Sequence, residues 1–195
     1  HLLKLGVTLL MLMTVNVFGR SQASADVIVS TLDSSTGSGV RYGTEVGQAF
    51  TTGESVTAAL VTFMYARELP KDLILTINDV GKDGTIGDPI DRWSISSTSK
   101  TLVTFSGNTS LEAKHTYWLV LQSSKDVFFI FTASGTPDIT ANFGATLPDY
   151  PDNFDFYVRD NYYSFKDGPT MFSVNTVPEP STMLLLGSGL VGLVG

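Results

Sequence analysis

Between positions 26 and 176 no stretch carries apolar residues at helical spacing; short runs of β-branched and aromatic residues alternate with Gly, Asn, Asp, Ser and Pro. That pattern confines the region to strands joined by turns. The clearest runs are 27–31, 46–51, 57–65, 73–77, 93–96, 102–105, 117–122, 128–132, 154–158 and 171–174. Many short strands with turn signals between them predict an all-β fold, a single β-sandwich or jelly-roll-like domain. Leu73-Ile74-Leu75 and Leu119-Val120-Leu121 are apolar on both parities, so these strands are expected to be covered on both faces. No internal repeat and no second domain is visible.

Hydrophobic residues make up 43 % of the chain and charged residues only 16 %, below the roughly 25 % of ordinary soluble domains. The apolar surplus lies at the two ends. Residues 1–25 read as a secretory signal peptide: Lys4 supplies a positive n-region, an apolar h-region runs from Leu5 to Phe18, and Ala23-Ser24-Ala25 gives the small-residue cleavage pattern. An h-region of about 14 residues at ~1.5 Å each covers roughly 21 Å, short of the ~30 Å hydrocarbon core. Cleavage after Ala25 makes Asp26 the new N-terminus. At the other end Pro178-Glu179-Pro180 holds the backbone extended, since each proline fixes φ and restricts its predecessor. An uncharged Leu- and Gly-rich run, 183–195, follows at once. It happens to contain G-x-G-x-x-G at Gly187 to Gly192, but a dinucleotide site needs a preceding strand and a following acid, and here a proline-rich stretch precedes it.

Residues 177–195 resemble the PEP-CTERM sorting signal, a Pro-Glu-Pro triplet followed by an apolar helix and a short basic tail. The basic tail is missing, and with His1 standing where Met is expected, both ends are read as truncated. The resemblance implies recognition of Pro178, Glu179 and Pro180 by an exosortase, an integral-membrane cysteine protease and transpeptidase of Gram-negative bacteria. Two internal stretches, Val46-Gly47-Gln48-Ala49-Phe50-Thr51-Thr52-Gly53 followed by Ala59-Leu60-Val61-Thr62-Phe63, and Leu111-Glu112-Ala113-Lys114-His115-Thr116-Tyr117-Trp118-Leu119-Val120-Leu121, resemble the choice-of-anchor R domain. That likeness implies a β-sandwich ectodomain of unassigned activity. The expected organisation is therefore a signal helix (1–25), a β-sandwich ectodomain (26–176) and a sorting signal with an apolar anchor helix (177–195).

The chemistry of the ectodomain is sparse. There are 19 acidic and 12 basic residues, for a net charge of −7, and every acidic residue lies from Asp26 onward. Such a surface repels phosphate backbones and argues against nucleic-acid binding. Cysteine is absent, which removes thiol nucleophiles and Cys-ligated metals. Signal removal leaves His115 as the one histidine, read as a solvated turn residue without a partner. No G-x-S-x-G and no H-E-x-x-H occurs, so no catalytic, cofactor or metal residues are assigned. The loop 78–88 offers Asp79, Asp83 and Asp88, but Gly81 and Ile90 stand where an EF-hand needs ligands, and the aspartates are read as wet hairpin residues.

The segment 148–165 interleaves aromatics with Asp and Asn, a mixture suited to stacking on and hydrogen-bonding a sugar; Tyr150, Tyr157, Tyr162 and Tyr163 are the candidate glycan contacts. Alternation of Phe154, Phe156 and Val158 equally describes one buried face of a strand. The reading that combines these features is a non-enzymatic, exported protein of the cell envelope or extracellular matrix. Its expected partners are signal peptidase and exosortase, the inner membrane transiently, and extracellular polysaccharide as in a biofilm. The alternatives are a carbohydrate-binding module built on 148–165 and, behind it, a secreted glycoside hydrolase drawing on Asp149, Asp152, Asp155 or Asp160.

Overall fold

In a computed structural model, the structure describes residues 25–34, 36–132, 138–147, 154–158, 161–164 and 169–176. The strands are β1 (Val27–Ser30), β2 (Thr36–Thr51), β3 (Val56–Met64), β4 (Ile74–Val80), β5 (Ile86–Thr98), β6 (Leu102–Leu111), β7 (Thr116–Thr132), β8 (Thr140–Ala141), β9 (Phe154–Val158), β10 (Asn161–Ser164) and β11 (Phe172–Thr176). The only helical piece among the described residues is a 3-10 turn at Lys82–Gly84. The fold is all-β. The expected signal and anchor helices lie outside the described residues, among which no helix is long and apolar enough to cross a membrane. Residues Asp26–Val177 form one compact unit.

The strands make one sheet in the order β10-β9-β2-β7-β4-β5-β6-β3-β11-β1-β8. Instead of two separate sheets, this one curls until distant strands meet. Tyr65, just past β3, bridges Phe129 of β7, with Ala66 N–H donating to Phe128 O at 2.8 Å and Met171 N–H to Ile130 O at 2.9 Å. The enclosed face carries a single core. Phe63, Val103, Phe105 and Phe172 come from one half, and Val46, Phe50, Leu75, Ile77, Leu119 and Leu121 from the other. Curling is favoured because a flat sheet this wide would leave those rings in water.

Several strands are longer than the sequence suggests. β2 begins ten residues earlier than its apolar run because Gly37, Gly39 and Gly43 mask the strand pattern. β5 starts at Ile86 despite Gly87 and Pro89; register shifts around Asn78 in its partner β4 accommodate the missing proline N–H. The two runs 117–122 and 128–132 are a single strand, β7. The polar stretch between them is a bulge: β2 advances only from Gly43 to Glu45 while β7 passes from Val127 back to Gln122. Asp72 holds that bulge, its Oδ1 accepting the Ser123 hydroxyl and its Oδ2 the Ser124 N–H, both at 2.8 Å. These bonds keep its carboxyl well below the usual carboxylate range, with the contribution of Ser124 the largest.

The doubly apolar strand β7 is covered on both sides, whereas Ile74 of the run 73–75 is only partly buried. Leu119 and Leu121 face the core, while Trp118 and Val120 pack with Ala49 on the opposite face. The hairpin between β4 and β5 folds over that second face, and Trp118 Nε1–H donates to Gly84 O at 3.1 Å. Asp83, at φ 62, and Gly84, at φ 78, make the tight left-handed turn this requires.

Candidate functional site

One end of the sheet carries an open depression of about 410 Å³, set among the ends of β4, β5, β6 and β7. Three strands bring its carboxylates together. Asp79 closes β4 opposite Tyr117 of β7, Asp91 lies on β5 opposite Ile77, and Glu112 follows β6. The turn from Glu112 to His115 is pinned by Thr52, whose hydroxyl donates to Glu112 O and whose N–H donates to His115 O at 2.9 Å. Lys114 sits in the left-handed region, φ 56, at the tightest point of that turn.

His115 is not the solitary turn residue expected from sequence. Its Nε2 lies 2.5 Å from Asp79 Oδ1, and its ring packs on Tyr117 with centroids 4.8 Å apart. The contact has a topological cause: β4 and β7 are neighbours, so residues 36 positions apart meet at one strand end. Asp79 stands on β4 rather than in the loop, bonded to His115, with its side chain still 48 % exposed. Its partner His115 holds its carboxyl below the ordinary range. Asp91 is also held low: Oδ2 accepts the Thr109 hydroxyl at 2.5 Å and the Trp93 indole N–H at 2.9 Å, and Oδ1 accepts Arg92 N–H at 2.7 Å. Tyr117 is 4 % exposed; burial pushes its phenol up, while its oxygen accepts Glu112 N–H at 2.7 Å. No three acids or histidines among the described residues converge as a metal site would require.

The depressed carboxylates set an acid limb of stability. Their folded pKa values lie below the unfolded value of about 3.9, so the unfolded chain takes up protons first. The stabilisation is complete above that value and is lost as pH falls through the folded pKa values. The expected result is a melting temperature with no loss from Asp72, Asp79 or Asp91 between about pH 7 and pH 5, falling steeply below about pH 4. Thermal melts of Asp91→Asn should show a shallower acid limb than wild type; identical limbs would remove Asp91 from the account.

The glycan candidates lie elsewhere. Tyr157, Tyr162 and Tyr163 belong to the β9–β10 hairpin at one edge of the sheet, where Tyr162 is opposite Tyr157, and Tyr157 is opposite Gly47 of β2. Tyr150, Ala23, Pro178, Glu179 and Pro180 lie outside the described residues. Ala25 is described, separated from β1 by Asp26. Asp26 and Thr176 clasp each other: Asp26 N–H donates to Thr176 Oγ1 at 3.1 Å and Thr176 N–H to Asp26 O at 2.8 Å. Thr176 is opposite Ala58, and Ala58 opposite Thr109, so the depression begins two strands, about 10 Å, from this clasp.

Residues 176–195 match the PEP-CTERM protein-sorting motif. No curated protein and no solved structure matches the chain. The motif implies an exported, cell-surface protein that is sorted by an exosortase.

Proposed function

We propose that the chain is a non-enzymatic protein of the cell envelope or extracellular matrix, cleaved by signal peptidase after Ala25 and processed by an exosortase at Pro178-Glu179-Pro180. Its β-rich ectodomain is of the choice-of-anchor R kind, arrested transiently at the inner membrane by the apolar run and delivered to the extracellular polysaccharide of a Gram-negative biofilm. The observation that carries this reading is the sorting motif starting at position 176, where the last strand ends. The Asp26–Thr176 clasp supports it. Both cuts fall just outside that pair, so neither removes a strand from the sheet.

The non-enzymatic part is supported by how the polar groups of the depression are used. Asp91 is occupied by Thr109 and Trp93, and His115 by Asp79, with no hydroxyl among the described residues bonded to the imidazole. A general base needs a reacting proton within hydrogen-bond reach. Replacing Pro178, Glu179 and Pro180 together by Ala tests the sorting reading in the native host. Full retention of residues 183–195 in the membrane fraction is expected, against their loss in wild type. Equal processing of both chains would overturn it.

A further inference from the structure

The end of β11 lies next to the sorting triplet in the chain and is held in the sheet from both sides. Thr176 ends the strand, and Val177 alone separates it from Pro178. The triplet therefore starts within about 8 Å of chain from the sheet. A peptidase takes its substrate as an extended segment whose main-chain groups pair with the enzyme. In β11 those groups are already used. Thr176 N–H donates to Asp26 O at 2.8 Å and Thr176 Oγ1 accepts Asp26 N–H at 3.1 Å. On its other side Thr176 is opposite Ala58 of β3. Asn175 is paired with Val27 and Leu60, and Val174 with Val29 and Val61, so β11 offers no free edge.

The hold is graded along the strand. Val174 is fully buried in the core, whereas Asn175 and Thr176 are half-buried and Asp26 is exposed. Opening from the end thus breaks only the last few hydrogen bonds, a local event that costs far less than unfolding the sheet.

We infer that this clasp sets the rate of the sorting cut: the exosortase takes up the chain only while Asn175 and Thr176 are released from β1 and β3. Given the sorting reading, on which this rests, the folded domain regulates its own processing. The rate of the cut follows the population of the opened end, as for proteolysis through a transiently opened state.

The test is a pulse-chase of the full chain in its native host, following the loss of residues 183–195 by mass. Val27 and Asn175 are register partners, and the chain has no cysteine, so Val27→Cys with Asn175→Cys introduces a single lock beside the clasp. The locked chain is expected to be processed at least about tenfold more slowly than wild type. Thr176→Val loses the Oγ1 acceptor but keeps the β-branched shape, and should be processed about twofold to tenfold faster. A Gly/Ser spacer of about five residues between Thr176 and Val177 should return the locked chain to at least the wild-type rate. The triplet then reaches the enzyme without opening the sheet, and this rescue separates a held strand from a misfolded one. A wild-type rate in the locked chain, no rescue by the spacer, or an unchanged rate in Thr176→Val would overturn the inference. The chain with Pro178, Glu179 and Pro180 replaced by Ala is run alongside. Wild-type processing of that chain would overturn the sorting reading and this inference with it; dependence on the triplet with a rate that ignores the lock would overturn this inference alone.

Discussion

Phe172→Ala is expected to cost the ectodomain about 3–5 kcal/mol, the usual range for removing a fully buried phenylalanine ring. Phe172 has no exposed surface and stacks on Phe63 with centroids 6.0 Å apart; Phe63 in turn meets Phe129 edge-on at 5.5 Å. The three rings join β11, β3 and the far half of β7, so they span the contact through which the sheet curls. Position also matters, because β11 lies between β3 and β1 and cannot fray like an edge strand. Domains of this kind hold roughly 5–15 kcal/mol in total, so this loss leaves a marginal fold. Urea titration should show a large drop in midpoint; a midpoint close to wild type would mean that the ring cluster does not hold the curl.

Gly53→Ala should destabilise by a different mechanism, at about 2–3 kcal/mol. A Cβ at position 53 would stand 2.4 Å from the carbonyl carbon and oxygen of Gly144 and from Phe143 O. These are backbone atoms and cannot rotate away. The turn they belong to is already committed, with Phe143 at φ 56 and Gly144 at φ 65, and is tied to β2 by the Thr51–Thr146 pair, both bonds at 2.8 Å. An added methyl therefore pushes the whole turn off the sheet. Glu54→Ala, at an exposed neighbour, is the control and should leave the urea midpoint unchanged. Equal midpoints for the two variants would contradict the close approach of these backbones.

What the sequence made legible follows from the range of the interactions concerned. The run at 154–158 coincides with β9, and the double apolar parity at 119–121 correctly announced a strand buried on both faces, because side-chain alternation is local. The beginnings of β2 and β5 were hidden, since glycine and proline read as turns unless the bulges that absorb them are known. The bulge at 123–126 looked like a turn for a similar reason: Ser123 and Ser124 are polar, and the Asp72 side chain that satisfies them is about 50 residues away in sequence, at |i−j| of 51 and 52. The curl itself depends on the pairing of Tyr65 with Phe129, which no local pattern announces.

The site shows the same division. The sorting triplet is a contiguous word and could be read directly. The depression is assembled from Asp79, Asp91, Glu112, His115 and Tyr117, on three different pieces of chain. Only the last three are close in sequence. His115 therefore looked solitary, although strand order makes Asp79 its neighbour.

The central claim is that this ectodomain is delivered as a processed sorting substrate. Its most direct test is the intact mass of the mature protein recovered from the envelope and the medium of its native host. A chain that begins at Asp26 and ends between Pro178 and Pro180, with or without an added group, is the expected result. A mature chain that retains Met183 to Gly195 would contradict it and leave an ordinary tail-anchored surface protein.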